Sequence, residues 1–163
     1  MELHAALGPE PTLRRAGDSD AEAIRALVAA AYRDYEPLIG RTPIPMQTDY
    51  SVAVREHDVW ILESSVEVIG VLELAVRDGY MWVENVAITP GRQGLGLGRR
   101  LLDHAEDVAR RRDLGELRLL TNERYVRNIE MYTRYGYRET HREPYQGTDL
   151  VYFTKSLDGA QGA

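Results

Sequence analysis

The sequence predicts a single mixed α+β domain spanning 12–157. Three observations point there. Strand-like runs at 59–63, 66–76 and 80–88 follow one another across tight turns. A strongly amphipathic helical run occupies 98–112. A last pair of strand-like runs, 137–142 and 150–156, closes the chain.

Taken in order, 12–16 reads as a short strand. Ser19-x-x-Glu22 has the form of a capping box, and Ile24, Leu27, Val28 and Ala31 then recur at helical spacing. Pro37, Gly40, Pro43 and Pro45 make 36–46 a loop with room for one helical turn. A second helix is expected at 49–56. Ser64-Ser65 and Asp78-Gly79 supply the two turns between the three central strands. Within 98–112, Leu101, Leu102, Ala105, Val108 and Ala109 share one face. Gly115 precedes a strand at 117–121, and a helix at 127–135 stops at Gly136. The order is β-α-α-β-β-β-α-β-α-β-β. Residues 1–11 and 158–163 read as flexible tails.

Composition excludes several classes. There are no cysteines, hence no disulfide framework, thiolate metal site or cysteine acyl-enzyme. That fits a cytoplasmic location. No signal peptide and no run of about 20 apolar residues is found, so no membrane is expected. A formal charge of −6 argues against a nucleic-acid partner. Arg110-Arg111-Arg112 ends a helix, where cations suit the dipole. His4, His57, His104 and His141 have no metal-ligand spacing, and no metal is expected.

The chemistry lies where the apolar strand ending at Ile88 runs into Gly91, Gly94, Gly96 and Gly98 and then directly into a helix. Such a junction aims free N–H groups and the positive helix end at one point, which is an anion site. A dinucleotide fingerprint fails, because Arg99 stands where the third glycine is needed. A P-loop fails too: Leu97 and Gly98 occupy the Lys and Ser/Thr positions after Gly96. What remains is a pyrophosphate cradle, Gln93-x-x-Gly96-x-Gly98, working through backbone donors.

That cradle, following Val83-Glu84-Asn85-Val86-Ala87-Ile88, closely resembles the acetyl-CoA loop of the GNAT superfamily of N-acetyltransferases. Asn128 to Gly136-Tyr137 resembles the family's later segment of asparagine, tyrosine and Gly-aromatic. The resemblance covers nearly the whole chain and implies a mixed, mostly antiparallel central sheet flanked by helices. It implies direct transfer of acetyl from acetyl-CoA to a primary amine in a ternary complex. The cofactor-binding set would be Val86, Ala87, Ile88, Gln93, Gly94, Gly96, Leu97, Gly98, Arg99, Asn128 and Tyr132. The strand residues would polarise the thioester through backbone N–H, and Asn128 would meet the pantetheine arm, unless it caps its helix instead.

Two catalytic candidates follow. Glu84, amid an apolar strand beside Trp82 and Val86, suits a general base of raised pKa; the alternative is an ion pair with an arginine of a neighbouring strand. Glu73 is the reserve. Tyr132, protonated at neutral pH, suits the general acid for the departing thiolate; the alternative is packing. Thr121, Asn122, Asn85 and His141 are weaker candidates. The acceptor, a small-molecule or protein amine, is expected against 32–46 and 142–148. Tyr32, Asp34, Tyr35 and Glu36 suit a cation there, and Arg41 suits a carboxylate. A homodimer through Tyr145, Tyr152 and Phe153 is a further expectation. The rival reading is a non-catalytic acyl-CoA-binding module.

Overall fold

The structure, a computed structural model, describes residues 10–157. The expected tails therefore lie outside the described residues, apart from Glu10 and Pro11. The Pro11 carbonyl accepts a hydrogen bond from Arg100 at 2.6 Å.

Seven strands form one sheet: β1 (Thr12–Arg15), β2 (Asp58–Ser64), β3 (Glu67–Arg77), β4 (Tyr80–Ile88), β5 (Glu116–Asn122), β6 (Arg138–Tyr145) and β7 (Thr148–Ser156). Their spatial order is β1-β2-β3-β4-β5-β7-β6. Every neighbouring pair is antiparallel except β4 and β5. The expected mixed, mostly antiparallel sheet flanked by helices is what forms. Helices α1 (Ala21–Tyr32), α2 (Glu36–Ile39) and α3 (Tyr50–Glu56) precede β2. The one turn allowed for in the proline-rich loop is α2. Helix α4 (Leu97–Arg111) follows β4, and α5 (Val126–Arg134) follows β5.

The two sheet faces bury separate cores. On one, Ile24, Leu27 and Val28 of α1 and Tyr50 and Ala53 of α3 pack on Val59, Ile61, Val71 and Ala87. On the other, the predicted stripe of α4 packs with Tyr132 of α5 on Leu62, Leu72, Leu74, Met81, Leu117 and Leu119. Full burial of a side chain such as Leu101 contributes about 2 kcal/mol. Gly70 of β3 makes this contact close: a Cβ there would stand 3.0 Å from Ile88 Cδ1 and 3.2 Å from Leu62 Cδ1.

Three local expectations are corrected. The Ser19–Glu22 box does not form. Asp18–Asp20 is a 3-10 turn, and Asp20 Oδ2 accepts from Gly17 N at 2.8 Å while Arg14 holds the same carboxylate at 2.9 Å. A fixed carboxylate outcompetes the Ser19 hydroxyl for the turn, and Glu22 pairs with Arg25. The last hairpin is also tighter than expected: β6 runs through Pro144 to Tyr145 and β7 resumes at Thr148. Gln146 and Gly147 take positive φ (48° and 88°), as a two-residue hairpin turn requires. Pro144 is tolerated because β6 is an edge strand. Finally, β4 does not alternate cleanly. Glu73 opposes Asn85 but Leu74 opposes Val83, so Glu84 is an extra residue in a β-bulge. Beyond it, Val86 packs with the α4 core and no longer shares a face with Glu84.

Candidate active site

Strands β4 and β5 pair at only two positions, Met81 with Leu117 and Trp82 with Arg118. Helix α4 between them supplies the crossover that a parallel pair needs, and beyond these two pairs no further pairing joins the strands. The inner edge of β4 from Glu84 onward is left without a neighbouring strand. Ladder parity says which groups face the gap. Thr89 N donates to Ile69 O at 2.9 Å, so Ala87 falls in the bonded pair with Val71. The N–H and C=O groups of Val86 and Ile88 therefore point into the gap. The Ile88 carbonyl is there taken by Gln93 Nε2 at 3.1 Å.

On one side of the gap lies an elongated groove of about 400 Å³, lined by Val86 to Ile88, Gln93, Gly94, Gly96, Leu97, Gly98, Asn128, Met131 and Tyr135. Gly94 and Gly96 take left-handed φ of 80° and 81°, and Gly96 is the N-cap of α4. Only glycine adopts that conformation twice within three residues at no steric cost. Gly98 is different. It is helical, and a Cβ there would stand 3.6 Å from Met131 Sδ, on the groove side. The side chain of Gln93 braces the loop against β4. The Arg99 guanidinium lies over Tyr135 at 5.4 Å, among Asp103 and Glu106 in a neighbouring depression. Arg99, expected among the cofactor-binding residues, therefore turns its charge away and is absent from the groove walls. The cations that do line the groove are Arg92, Arg127 and Arg134. The sequence reading missed all three. For two of them a signal was present: 127, 130, 131 and 134 repeat at helical spacing and share one face of α5, whereas nothing local marks Arg92.

On the other side lies a smaller cavity of about 140 Å³. Its walls include Arg41, Trp82, Glu84, Asn85, Tyr125 and Tyr132. Groove and cavity share Tyr32, Val86 and Asn128, so they meet at the split in the sheet.

Tyr132 is buried, with its ring 5.7 Å from Tyr137 and 5.9 Å from Phe153. Burial pushes its phenol well above the ordinary tyrosine value. Packing and access to the cavity therefore coexist at this residue. Tyr137 is core, whereas Tyr135 lines the groove. Tyr32, Tyr35 and Tyr125 form an aromatic wall, with Tyr35 stacked on Tyr125 at 4.0 Å. Burial raises all three phenols, that of Tyr125 to about 12, with the Arg41 charge opposing.

Asn128 sits inside α5 rather than capping it; the N-cap is Tyr125. Its amide lies 3.5 Å from the Tyr35 hydroxyl and 3.5 Å from Thr121 Oγ1. Glu84 is half-buried and accepts from Arg77 Nη2 at 2.7 Å, the ion pair weighed as its alternative, while also lining the cavity. Glu73 is outside the cavity walls. It is buried against His57 Nδ1 at 2.6 Å, and desolvation pushes its carboxyl up with His57 opposing. Asn85 is buried, accepts from Tyr32 OH at 2.8 Å and donates to Tyr50 OH at 3.2 Å. Asn122 donates to Thr148 Oγ1 at 2.7 Å and accepts from Arg124 N at 3.0 Å, closing the turn into α5. His141 stacks on Tyr152 away from the cavity walls. Asp34 and Glu36 are exposed and line neither space, whereas Arg41 lines the cavity. Phe153 is core and offers no interface. Among the described residues no group of three or more His, Asp or Glu side chains is placed to hold a metal. No helix among them is long and apolar enough to cross a membrane.

Comparison with known proteins agrees with this geometry. The ribosomal-protein-S18-alanine N-acetyltransferase of Escherichia coli superposes with a TM-score of 0.75 at 20% identity, over 90% of this chain and 94% of that one. A GNAT family acetyltransferase of Elizabethkingia anophelis with acetyl-CoA bound superposes with a TM-score of 0.68 at 18% identity, over 91% and 99%. These likenesses are of fold. Streptothricin acetyltransferase of Streptomyces lavendulae is 38% identical over 55 residues, which is 34% of this chain and only 29% of that enzyme. The model of the Acetyltransferase (GNAT) family matches residues 22–137, from the second residue of α1 through α5, taking in the glycine loop and the split in the sheet; the chain belongs to that family.

Proposed function

We propose that this acetyltransferase moves acetyl directly from acetyl-CoA to a primary amine, with both substrates bound together. The observation that carries the reading is the meeting of two spaces at Tyr32, Val86 and Asn128. One space is lined by the anion-binding loop and three arginines; the other is a small cavity fit for the acceptor. Backbone donors of Gln93 to Gly98 receive the pyrophosphate at the N-terminus of α4. Arg92, Arg127 and Arg134 add charge-assisted contacts to phosphate. The pantetheine arm lies along the free edge of β4, against Asn128. The Val86 N–H, spared by the ladder, polarises the thioester carbonyl.

The amine nitrogen attacks the carbonyl carbon. A C–N bond forms, the C–S bond breaks, and the amine loses one proton through water to Glu84. Tyr132 gives its proton to the departing thiolate and recovers one from solvent. The phenol is protonated across the neutral range and so carries a proton to donate. The chain has no cysteine to form a thioester acyl-enzyme, which favours the one-step route.

Thermal unfolding with acetyl-CoA, against ATP and NAD as controls, tests the binding half. At 100 times its dissociation constant a native-state ligand adds about 2.7 kcal/mol of stability. No selective shift at millimolar acetyl-CoA removes the reading. Intersecting, not parallel, double-reciprocal plots test the ternary complex. Tight acetyl-CoA binding without turnover on any amine would favour the non-catalytic module.

A further inference from the structure

We infer that the acceptor is an amino acid: a small molecule carrying a carboxylate as well as the reacting amine, with the carboxylate held by Arg41. The inference rests on the transferase reading above and narrows its acceptor.

Arg41 follows Gly40, whose left-handed φ of 72° ends α2 and turns the chain toward the β6–β7 hairpin. There its guanidinium lines the cavity, 4.9 Å from the centre of the Tyr145 ring. Nη2 has only two long contacts, to Thr148 Oγ1 at 3.4 Å and to the Tyr145 carbonyl at 3.5 Å. Nε is shielded from solvent and has no hydrogen-bond partner. A guanidinium presents five N–H donors in a planar fork that matches a carboxylate. Here the fork meets two neutral oxygens at the limit of bonding distance. The Thr148 hydroxyl is moreover already engaged by Asn122 at 2.7 Å.

The other charges around the cavity sharpen the point. Its one lining carboxylate is Glu84, and Arg77 already pairs with that group. The remaining polar walls (Asn85, Thr121, Asn122, Asn128 and the tyrosines) are neutral. Among the described residues no carboxylate pairs with Arg41. A purely cationic acceptor such as a polyamine would bring positive charge against a cation that lacks a counterion. A carboxylate would instead complete it, with charge-assisted bonds in a partly dry site. The amine then extends from the Arg41 end toward the junction at Val86 and Asn128. The cavity is small, which suits a free amino acid.

The test compares matched acceptors with the full chain and acetyl-CoA. ω-Amino acids from glycine to 6-aminohexanoate and a panel of α-amino acids are each paired with the corresponding amide. Product is read as released thiol and acetylated mass. The acid is expected to exceed its amide by about ten-fold or more in kcat/KM, mostly through KM. Arg41→Met abolishes that preference, and Arg41→Lys keeps part of it. The thermal shift given by acetyl-CoA stays the same in all three proteins, which separates loss of the anchor from loss of the fold. Equal use of acids and amides by the wild type, or a preference that survives Arg41→Met, overturns the anchor while leaving the transferase reading intact. So does turnover confined to peptides or diamines. If no acceptor turns over, thermal shift in the presence of CoA decides. An acid-specific shift lost in Arg41→Met supports the anchor, and its absence across the panel overturns it. No shift with acetyl-CoA itself removes both readings.

Discussion

Gly98→Ala should make the protein more stable and a poorer binder of acetyl-CoA, two effects that usually travel together in the same direction. Gly98 is the second residue of α4 and needs no positive φ. An added Cβ would meet only Met131 Sδ, at an ordinary 3.6 Å. Replacing glycine by alanine in a helix then adds roughly 0.5–1 kcal/mol by lowering the entropy of the unfolded chain. For a domain of this size that raises Tm by about 1–4 °C. The same methyl projects into the groove where the first turn of α4 receives the pyrophosphate. Loss of one charge-assisted bond costs about 1.5–3 kcal/mol, or roughly 10- to 150-fold in Kd. Gly96→Ala is the control: with φ at 81° it is strained whatever the space, so stability should fall by about 1–2 kcal/mol. The assays are thermal unfolding without ligand and calorimetric titration with acetyl-CoA. A stabilised Gly98→Ala that binds acetyl-CoA as tightly as the wild type would refute the placement of the pyrophosphate on this turn.

Three further outcomes are expected. Tyr132→Phe should lower kcat by roughly 10²- to 10⁴-fold, with the Kd for acetyl-CoA nearly unchanged; an unaltered kcat in steady-state assays would make this residue packing alone. Asn85→Leu strands the buried Tyr32 hydroxyl, while Tyr50 loses one donor but keeps its bond to the Pro45 carbonyl, and should cost about 1–3 kcal/mol in urea unfolding, enough to distinguish a buried polar bridge from a tolerant cavity wall. His104 packs edge-on to Trp60 at 4.3 Å, and burial, with Arg111 second, lowers its pKa below 6.5. The unfolded chain thus takes up the proton first on acidification. The contribution is fully present above pH 6.5 and is lost as pH falls through the folded value, so His104→Phe should flatten the stability profile between pH 7.5 and 5.

Much of the fold was legible because it is written in local periodicity. The α4 stripe of Leu101, Leu102, Ala105, Val108 and Ala109 is buried on the sheet as its spacing required. Gly136 ends α5 with φ at 92°, and Tyr137 N closes on Tyr132 O at 2.9 Å. The glycine loop was legible for the same reason: φ constraints are local. Charges were harder. Asp34 and Glu36 looked like acceptor ligands yet face solvent, whereas Arg92, Arg127 and Arg134 meet in one groove from two separate segments. Helical spacing puts Arg127 and Arg134 on one face, but no local rule reports that this face meets Arg92.

The least legible feature is the one on which the site most depends. Sequence alternation puts Glu84 and Val86 on one face, and a regular β4 would keep them there. The single extra residue at the bulge reverses that parity. Glu84 and Asn85 then both line the cavity, while Val86, at the junction of cavity and groove, also packs against the α4 core. The same parity, counted back from the Thr89 to Ile69 bond, frees the Val86 N–H for the gap. A one-residue insertion thus sets where the carboxylate, the buried amide and the polarising donor stand. It is visible only in the register of β4 against β3, a non-local pairing of which the strand's own alternation carries no trace.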